Sequence, residues 1–279
     1  MVGLFENIGE SFAYAFGNTV KRPGIWLGLI LFAFLNLIVI AVGALCLLAD
    51  DTLFKVIGIV LLVIGFLMAL FFFGVGVQIY GNKPITFKNF FGTIGRGFQS
   101  VIISFIYMLV VAIVTTILSC IGVASLASRA TEILTANIAG FDLTSILTFI
   151  QSIPTIFNGV SATEVIALIV VIILDIFFSM LMYAALVNFA RAGKFGAGFH
   201  FGEIFGRIRK VGWLKYLAAI ILYAILLVIL YIIIGAIIIA FTLIPTVILS
   251  VILIAVFTIL VIPIMVILST KLIANLFGE

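Results

Sequence analysis

Charge is scarce in this sequence. Only 9% of its 279 residues are Asp, Glu, Lys or Arg, against about 25% in a typical soluble domain. A soluble chain of this size needs far more polar surface to cover its core. The scarcity therefore excludes a soluble globular domain, a disordered segment and a nucleic-acid-binding module. Histidine occurs once and cysteine twice. One histidine rules out a histidine-based metal cluster within a single chain. Two cysteines without CxxC or zinc spacing rule out a disulfide-stapled secreted domain, a zinc ribbon and a haem attachment site. HExxH and GxSxG are missing. Gly196-Ala197-Gly198 has neither the spacing of a phosphate loop nor a strand before it. No polar stretch is long enough to build a nucleotide-binding domain. No cofactor, metal or nucleic-acid partner is expected.

Apolar residues make up 66% of the chain. They fall into six runs, near 24–48, 55–79, 99–125, 164–190, 214–241 and 246–270. Each exceeds the roughly 20 residues that a helix needs to cross about 30 Å of hydrocarbon. None alternates with period two, which excludes an outer-membrane barrel. The fold class is thus an all-α integral membrane protein with six transmembrane helices, and its first partner is the lipid bilayer. Residues 1–20 carry Glu6 and Glu10 and no early cation, so the first span is expected to act as its own targeting signal.

The cations predict the orientation. Lys21 and Arg22 precede span 1, and Lys83, Lys88 and Arg96 lie between spans 2 and 3. Arg191, Lys194, Arg207, Arg209, Lys210 and Lys215 lie between spans 4 and 5, and Lys271 follows span 6. Twelve of the 14 Lys and Arg thus share one side, leaving Lys55 and Arg129 on the other with Asp50, Asp51, Glu132, Asp142 and Glu164. The positive-inside rule puts the basic side and both termini in the cytoplasm of a multi-pass cell-membrane protein. That face also suits anionic lipid head groups.

Three segments on the basic side look alike. Leu4-Phe5-Glu6-Asn7-Ile8, Phe90-Phe91-Gly92-Thr93-Ile94 and Ile204-Phe205-Gly206-Arg207-Ile208 each precede an outgoing and a returning span. Phe5, Phe91 and Phe205 are 86 and 114 residues apart. One reading is three cytoplasmic interfacial amphipathic helices, each opening a helix-plus-hairpin unit. The units would cover 1–80, 81–190 and 191–279, as three parallel repeats of a single transmembrane domain. The other reading is that any juxtamembrane helix needs aromatic residues toward lipid and polar ones toward water.

The longer interval holds an outer-face helical insertion, 126–163. Leu143, Ile146, Leu147, Ile150 and Ile153 recur at helical spacing, with Asp142 as a cap and Pro154 as a stop. A lid, a docking site, a re-entrant piece and a flat lipid-facing helix all fit it. Ser161 and Glu164 have capping-box spacing and predict the start of span 4.

Few polar residues fall inside the spans. Asp175 stands near the middle of span 4, with Ser179 and Tyr183 on the same face. Asn36 lies at similar depth in span 1. An ionisable group at that depth is costly. These four residues are therefore a candidate ion or proton site, or else polar glue between helices. Pro263 interrupts span 6. His200, Glu203, Arg207, Arg209 and Lys210 form a candidate cytoplasmic docking or lipid-head surface, or simply a topology anchor. Trp213 and Tyr216 mark the interface where span 5 begins. Gly24 and Gly28 form a GxxxG, the spacing that lets two helices approach closely. Cys46 and Cys120 lie near the outer ends of their spans, as a disulfide or as two buried thiols.

The stretch Tyr183-Ala184-Ala185-Leu186-Val187-Asn188-Phe189-Ala190-Arg191, continued by Gly193 to Phe199 and Phe201-Gly202-Glu203-Ile204, resembles the second block of the family called domain of unknown function 4013. Gly74 to Tyr107, with Gly81 and Pro84, resembles the first block, although few basic residues stand between Tyr80 and Pro84. The resemblance implies an archaeal multi-spanning membrane protein. It implies no activity, so no catalytic residue carries over.

Three functions are consistent with these features. A non-enzymatic scaffold, accessory subunit or membrane-organising component would have protein partners or form a homo-oligomer. A small-solute or ion transporter would use Asp175. A lipid-handling enzyme would use the His200 region.

Overall fold

The computed structural model describes residues 3–118, 128, 131–132, 151, 160–242 and 246–278. Six helices among them are long and apolar enough to cross a membrane. In chain order the helices are α1 (Leu4–Lys21), α2 (Pro23–Leu47), α3 (Thr52–Tyr80), α4 (Phe90–Leu118), α5 (Ala162–Ala192), α6 (Phe201–Val211), α7 (Trp213–Thr242) and α8 (Val247–Leu276). A 3-10 turn, Phe195–Phe199, precedes α6.

The ends of the helices follow local chemistry. Pro23 opens α2, where its missing N–H costs nothing. The Asp51 carboxylate accepts from the Leu53 amide at 2.6 Å and caps α3. The capping box expected at 161–164 forms. Glu164 accepts from the Ser161 amide at 2.6 Å and its hydroxyl at 2.9 Å, and α5 starts at Ala162. Gly212, at φ 94°, breaks α6 from α7 in a conformation that disfavours a side chain.

Two expectations change. The segment 90–94 is not a separate helix. It is the first turn of a continuous Phe90–Leu118 helix, because no Gly in the left-handed region or Pro interrupts the chain before the span. Pro263 does not break the last span either, since α8 runs through it. The expected helix around 143–153, Asp142, Pro154, Arg129 and Cys120 lie outside the described residues.

The chain forms two compact units, Met1–Ser104 with Met182–Glu279, and Phe105–Leu181. In the first unit α2 and α3 pack as a hairpin, and α8 packs against α1, α2, α3 and α7. Close crossings rest on glycine. The Gly43 and Gly58 backbones face each other between α2 and α3. Gly74 of α3 and Gly97 of α4 leave no room for a side chain, since a Cβ on Gly97 would lie 1.9 Å from the Leu70 carbonyl oxygen. Phe71 anchors an aromatic cluster with Phe32, Phe87 and Phe90, at ring separations of 4.8, 5.2 and 5.1 Å. The second unit comprises the end of α4, from Phe105, and α5 from Ala162 to Leu181.

Much of the apolar surface faces outward. The most apolar stretch of α7 buries no residue, and Leu214, Ile225, Val228 and Ile232 are more than half exposed. Water would penalise such surface heavily, whereas hydrocarbon does not.

Candidate functional site

Polar side chains in the first unit gather at the basic ends of the helices. Asn188, four residues before the end of α5, is fully buried. Its Nδ2 donates to the Ala197 carbonyl at 2.8 Å and to Glu203 Oε2 at 2.9 Å, while Arg207 Nε donates to its Oδ1 at 2.7 Å. One amide therefore ties the 3-10 turn and two charged residues of α6 to α5. Ile204 and Ile208 fill the remaining buried face of α6. Arg191, one turn on, donates to the carbonyls of Tyr80, Phe277 and Ala274 at 3.4 Å each, and to that of Gly278. It supplies donors to carbonyls at the ends of α3 and α8, where the Ala274 carbonyl also accepts from the Phe277 amide at 3.3 Å.

Two further clusters resemble this one. Gln78 Nε2 donates to Thr93 Oγ1 at 3.0 Å, and its Oε1 accepts from the Thr86 amide at 3.0 Å. Asn7 Nδ2 donates to the Tyr223 hydroxyl and to the Leu272 carbonyl, the latter at 3.2 Å. Asn275 Nδ2 donates to Ser11 Oγ at 3.4 Å.

Of the surface residues singled out in the sequence, Glu203 and Arg207 thus turn toward Asn188. Arg209 and Lys210 stay exposed. His200 Nδ1 lies 3.7 Å from Glu203 Oε1, with both side chains largely in solvent. The hydrogen bond from Asn188 holds the Glu203 carboxyl below its ordinary range, helped by the neighbouring His200 and Arg207 and opposed by desolvation. A depressed carboxyl stabilises the fold above its unfolded value of about 4.3 and loses that contribution as pH falls through the lowered folded value. In a Trp26→Phe background, Trp213, whose ring centroid lies 5.8 Å from that of Phe205, reports on α6. Its fluorescence is expected to shift as the pH falls below the ordinary carboxyl range. Glu203→Gln should flatten that acid limb. An unchanged limb would contradict the assignment.

Deeper in the same unit lies a cavity of about 540 Å³. It is bounded by α2, α3, the start of α4, the end of α5 and α8, and its wall is mostly apolar. Asn36, Tyr80, Ser104 and Tyr183 supply polar groups. Ser100, Ser269 and Thr270 also line it, but their hydroxyls donate to carbonyls of their own helices at 2.7, 3.2 and 2.6 Å. Asn36 Oδ1 is buried with no hydrogen-bond partner, the one such side-chain atom found among the described residues. Buried polar atoms are nearly always paired; this oxygen lies against Gly65 of α3, 3.5 Å from where a Cβ would stand, so it is buried in the α2–α3 contact beside the cavity. Ile262 and Val266, on either side of Pro263, complete the wall.

The four intramembrane candidates therefore divide. Asn36 and Tyr183 line the cavity. Asp175 and Ser179 do not, and Asp175 is exposed on α5. The glycine pair also divides. A Cβ on Gly28 would meet the Phe87 ring at 2.9 Å, whereas one on Gly24 would meet nothing within 4 Å. Within the described residues Gly28 accommodates an aromatic ring, and Gly24 contacts no neighbouring helix. Close helix approach belongs to Gly74 with Gly97 and to Gly43 with Gly58. Among the described residues Cys46 has no disulfide partner.

Sequence reasoning gave no role to Gln78, Asn188 or Asn275. Their one shared signal is an amide side chain within five residues of the end of an apolar returning helix. Arg191 served only as a topology charge, and its four carbonyl partners are distant in sequence.

Six long apolar helices with outward-facing hydrocarbon side chains define a multi-pass membrane protein. A family model described as "Protein of unknown function (DUF4013)" matches residues 57–239, well over half of the chain. The chain belongs to this family. No curated protein and no solved structure matches it.

Proposed function

We propose that this chain is a non-enzymatic component of the cell membrane, an accessory subunit or membrane organiser, built around a bound lipid-like molecule. The observation that carries the reading is the 540 Å³ cavity. Its volume falls within the roughly 300–1,000 Å³ of small-molecule sites, and an apolar wall with a few polar groups is the usual chemistry of such sites. A largely apolar ligand with few polar groups would match this wall. Twelve cations at one end of the bundle support a cytoplasmic position for that end and for both termini.

The three amide clusters support an arrangement in parallel repeats. Asn7, Thr93 and Arg207 each lie two residues after Phe5, Phe91 and Phe205. Thr93 and Arg207 bond the amide side chains of Gln78 and Asn188 near the ends of α3 and α5. Asn7 bonds the Leu272 carbonyl near the end of α8, and Asn275 reaches Ser11 one turn further along α1. In this reading α1 closes a ring of three units, with α1 and α6 lying at the membrane interface.

Native mass spectrometry of the protein released gently from its own membrane tests the proposal. A co-purifying small molecule of defined mass is expected. Gly76 lines the cavity, and a Cβ there would make only ordinary contact with Thr270, at 3.5 Å. Gly76→Ala should keep the added mass, and Gly76→Leu should lose it without unfolding the bundle. Bare protein from the wild type, or an unchanged added mass in Gly76→Leu, would count against the proposal.

Transport is the second reading, favoured by the Pro263-bearing helix in the cavity wall. It would run through the cavity and not through Asp175. Flux in vesicles would then fall in Gly76→Leu and persist in Asp175→Asn.

A further inference from the structure

A second pocket, of about 290 Å³, lies at the basic end of the first unit. We infer that it binds the phosphate of an anionic lipid head group, held by Arg22, Lys83 and Lys271 with Tyr14 and Asn82. The site is separate from the apolar cavity and does not depend on it.

Three distant parts of the chain supply its cations. Arg22 stands at the junction of α1 and α2, Lys83 in the turn after α3, and Lys271 in the last two turns of α8. The Lys271 ammonium lies 4.9 Å from the centre of the Tyr14 ring, which fixes it beside α1. The turn that carries Lys83 is held in place. Asn82 adopts φ 52°, and the Lys83 amide donates to the Gln78 carbonyl at 2.8 Å. No Asp or Glu lines the pocket. A phosphate group in the pocket would meet cations from three separate parts of the chain. A guanidinium, two ammonium groups, a phenol and an amide offer donors to every oxygen of a phosphate group.

The volume suits a head group and not a whole lipid. The pocket lies level with the last turn of α3, since Ile79 forms part of its wall. At that depth the chain leaves the hydrocarbon, which is where lipid phosphates reside. Basic pockets between spans recognise such head groups. A competing account is that these cations only neutralise the carbonyl ends of α1 and α3.

The test uses the full chain in nanodiscs of phosphatidylcholine, with and without phosphatidylglycerol, and reads thermal unfolding. Phosphatidylglycerol is expected to raise the midpoint of the wild type, and added salt should reduce the gain. Arg22→Gln, Lys83→Gln and Lys271→Gln should each weaken the apparent affinity about fivefold, and the triple variant should not respond. Lys194→Gln, outside the pocket, should respond like the wild type. If the triple variant fails to fold, the three single variants and the salt series carry the test. A second arm adds inorganic phosphate to protein in lipid-free detergent. The same pattern there would support a phosphate site filled from solution. Equal loss of stability with and without phosphatidylglycerol, or a triple variant that still responds, would overturn the inference in favour of helix-end neutralisation.

Discussion

Replacing Gly97 by leucine is expected to abolish the folded bundle, and replacing it by alanine to cost about 3 kcal/mol or more. A Cβ on Gly97 would sit 1.9 Å from the Leu70 carbonyl oxygen and 2.8 Å from the Gly74 amide nitrogen. A Cβ on Gly74 would sit 2.0 Å from the Thr93 carbonyl oxygen. All of these neighbours are backbone, so no rotamer change makes room, and α3 and α4 must separate. Separation would also pull Thr93 from Gln78. Gly95, two residues away on the same helix, provides the control. A Cβ there would meet nothing within 4 Å, so Gly95→Ala should be neutral or stabilising by about 0.5–1 kcal/mol. Thermal unfolding in detergent measures both variants. Similar midpoints for Gly97→Ala and Gly95→Ala would refute the close crossing.

Asn188→Leu is expected to cost about 3 kcal/mol, although leucine shares asparagine's branching at Cγ. The substitution removes three hydrogen bonds, two of them to charged partners, and such bonds contribute about 1.5–3 kcal/mol each. It leaves the Ala197 carbonyl without its donor and Glu203 and Arg207 without their bridge. Asn188→Asp should not rescue stability. A carboxylate still accepts from Arg207 but cannot donate to Ala197, and it would face Glu203. A double-mutant cycle with Arg207→Met isolates the coupling. The two changes together should cost clearly less than the sum of their separate costs. Strict additivity would show that the bond between Asn188 and Arg207 contributes nothing.

Several features were legible in the chain because they depend on neighbours in sequence. The six spans come from local apolar runs, and family membership from the blocks around Gly74 and Asn188. The capping box at Ser161 and Glu164 is a three-residue relationship, and it forms as expected. The candidate sites were legible only in part. Asn36 and Tyr183 line a common cavity, but their spacing from Asp175 carried no information about which helices enclose it. The GxxxG at Gly24 and Gly28 has the right spacing for a helix contact. What faces Gly28 is a phenylalanine ring, because contact depends on which element packs there. Gly74 and Gly97 lie in different helices, and no motif links them.

The sequence by itself thus determined that the chain is helical, with six helices long and apolar enough to cross a membrane, because transfer into hydrocarbon is paid residue by residue along each run. Partner choice was decided only by the tertiary structure. Hydrogen bonds, carbonyl caps and cavities require atoms from separate helices to meet at fixed distances. Folding therefore gave Asn188 a bridging role, put Arg191 across two helix ends and left the Asn36 oxygen buried beside α3 without a donor.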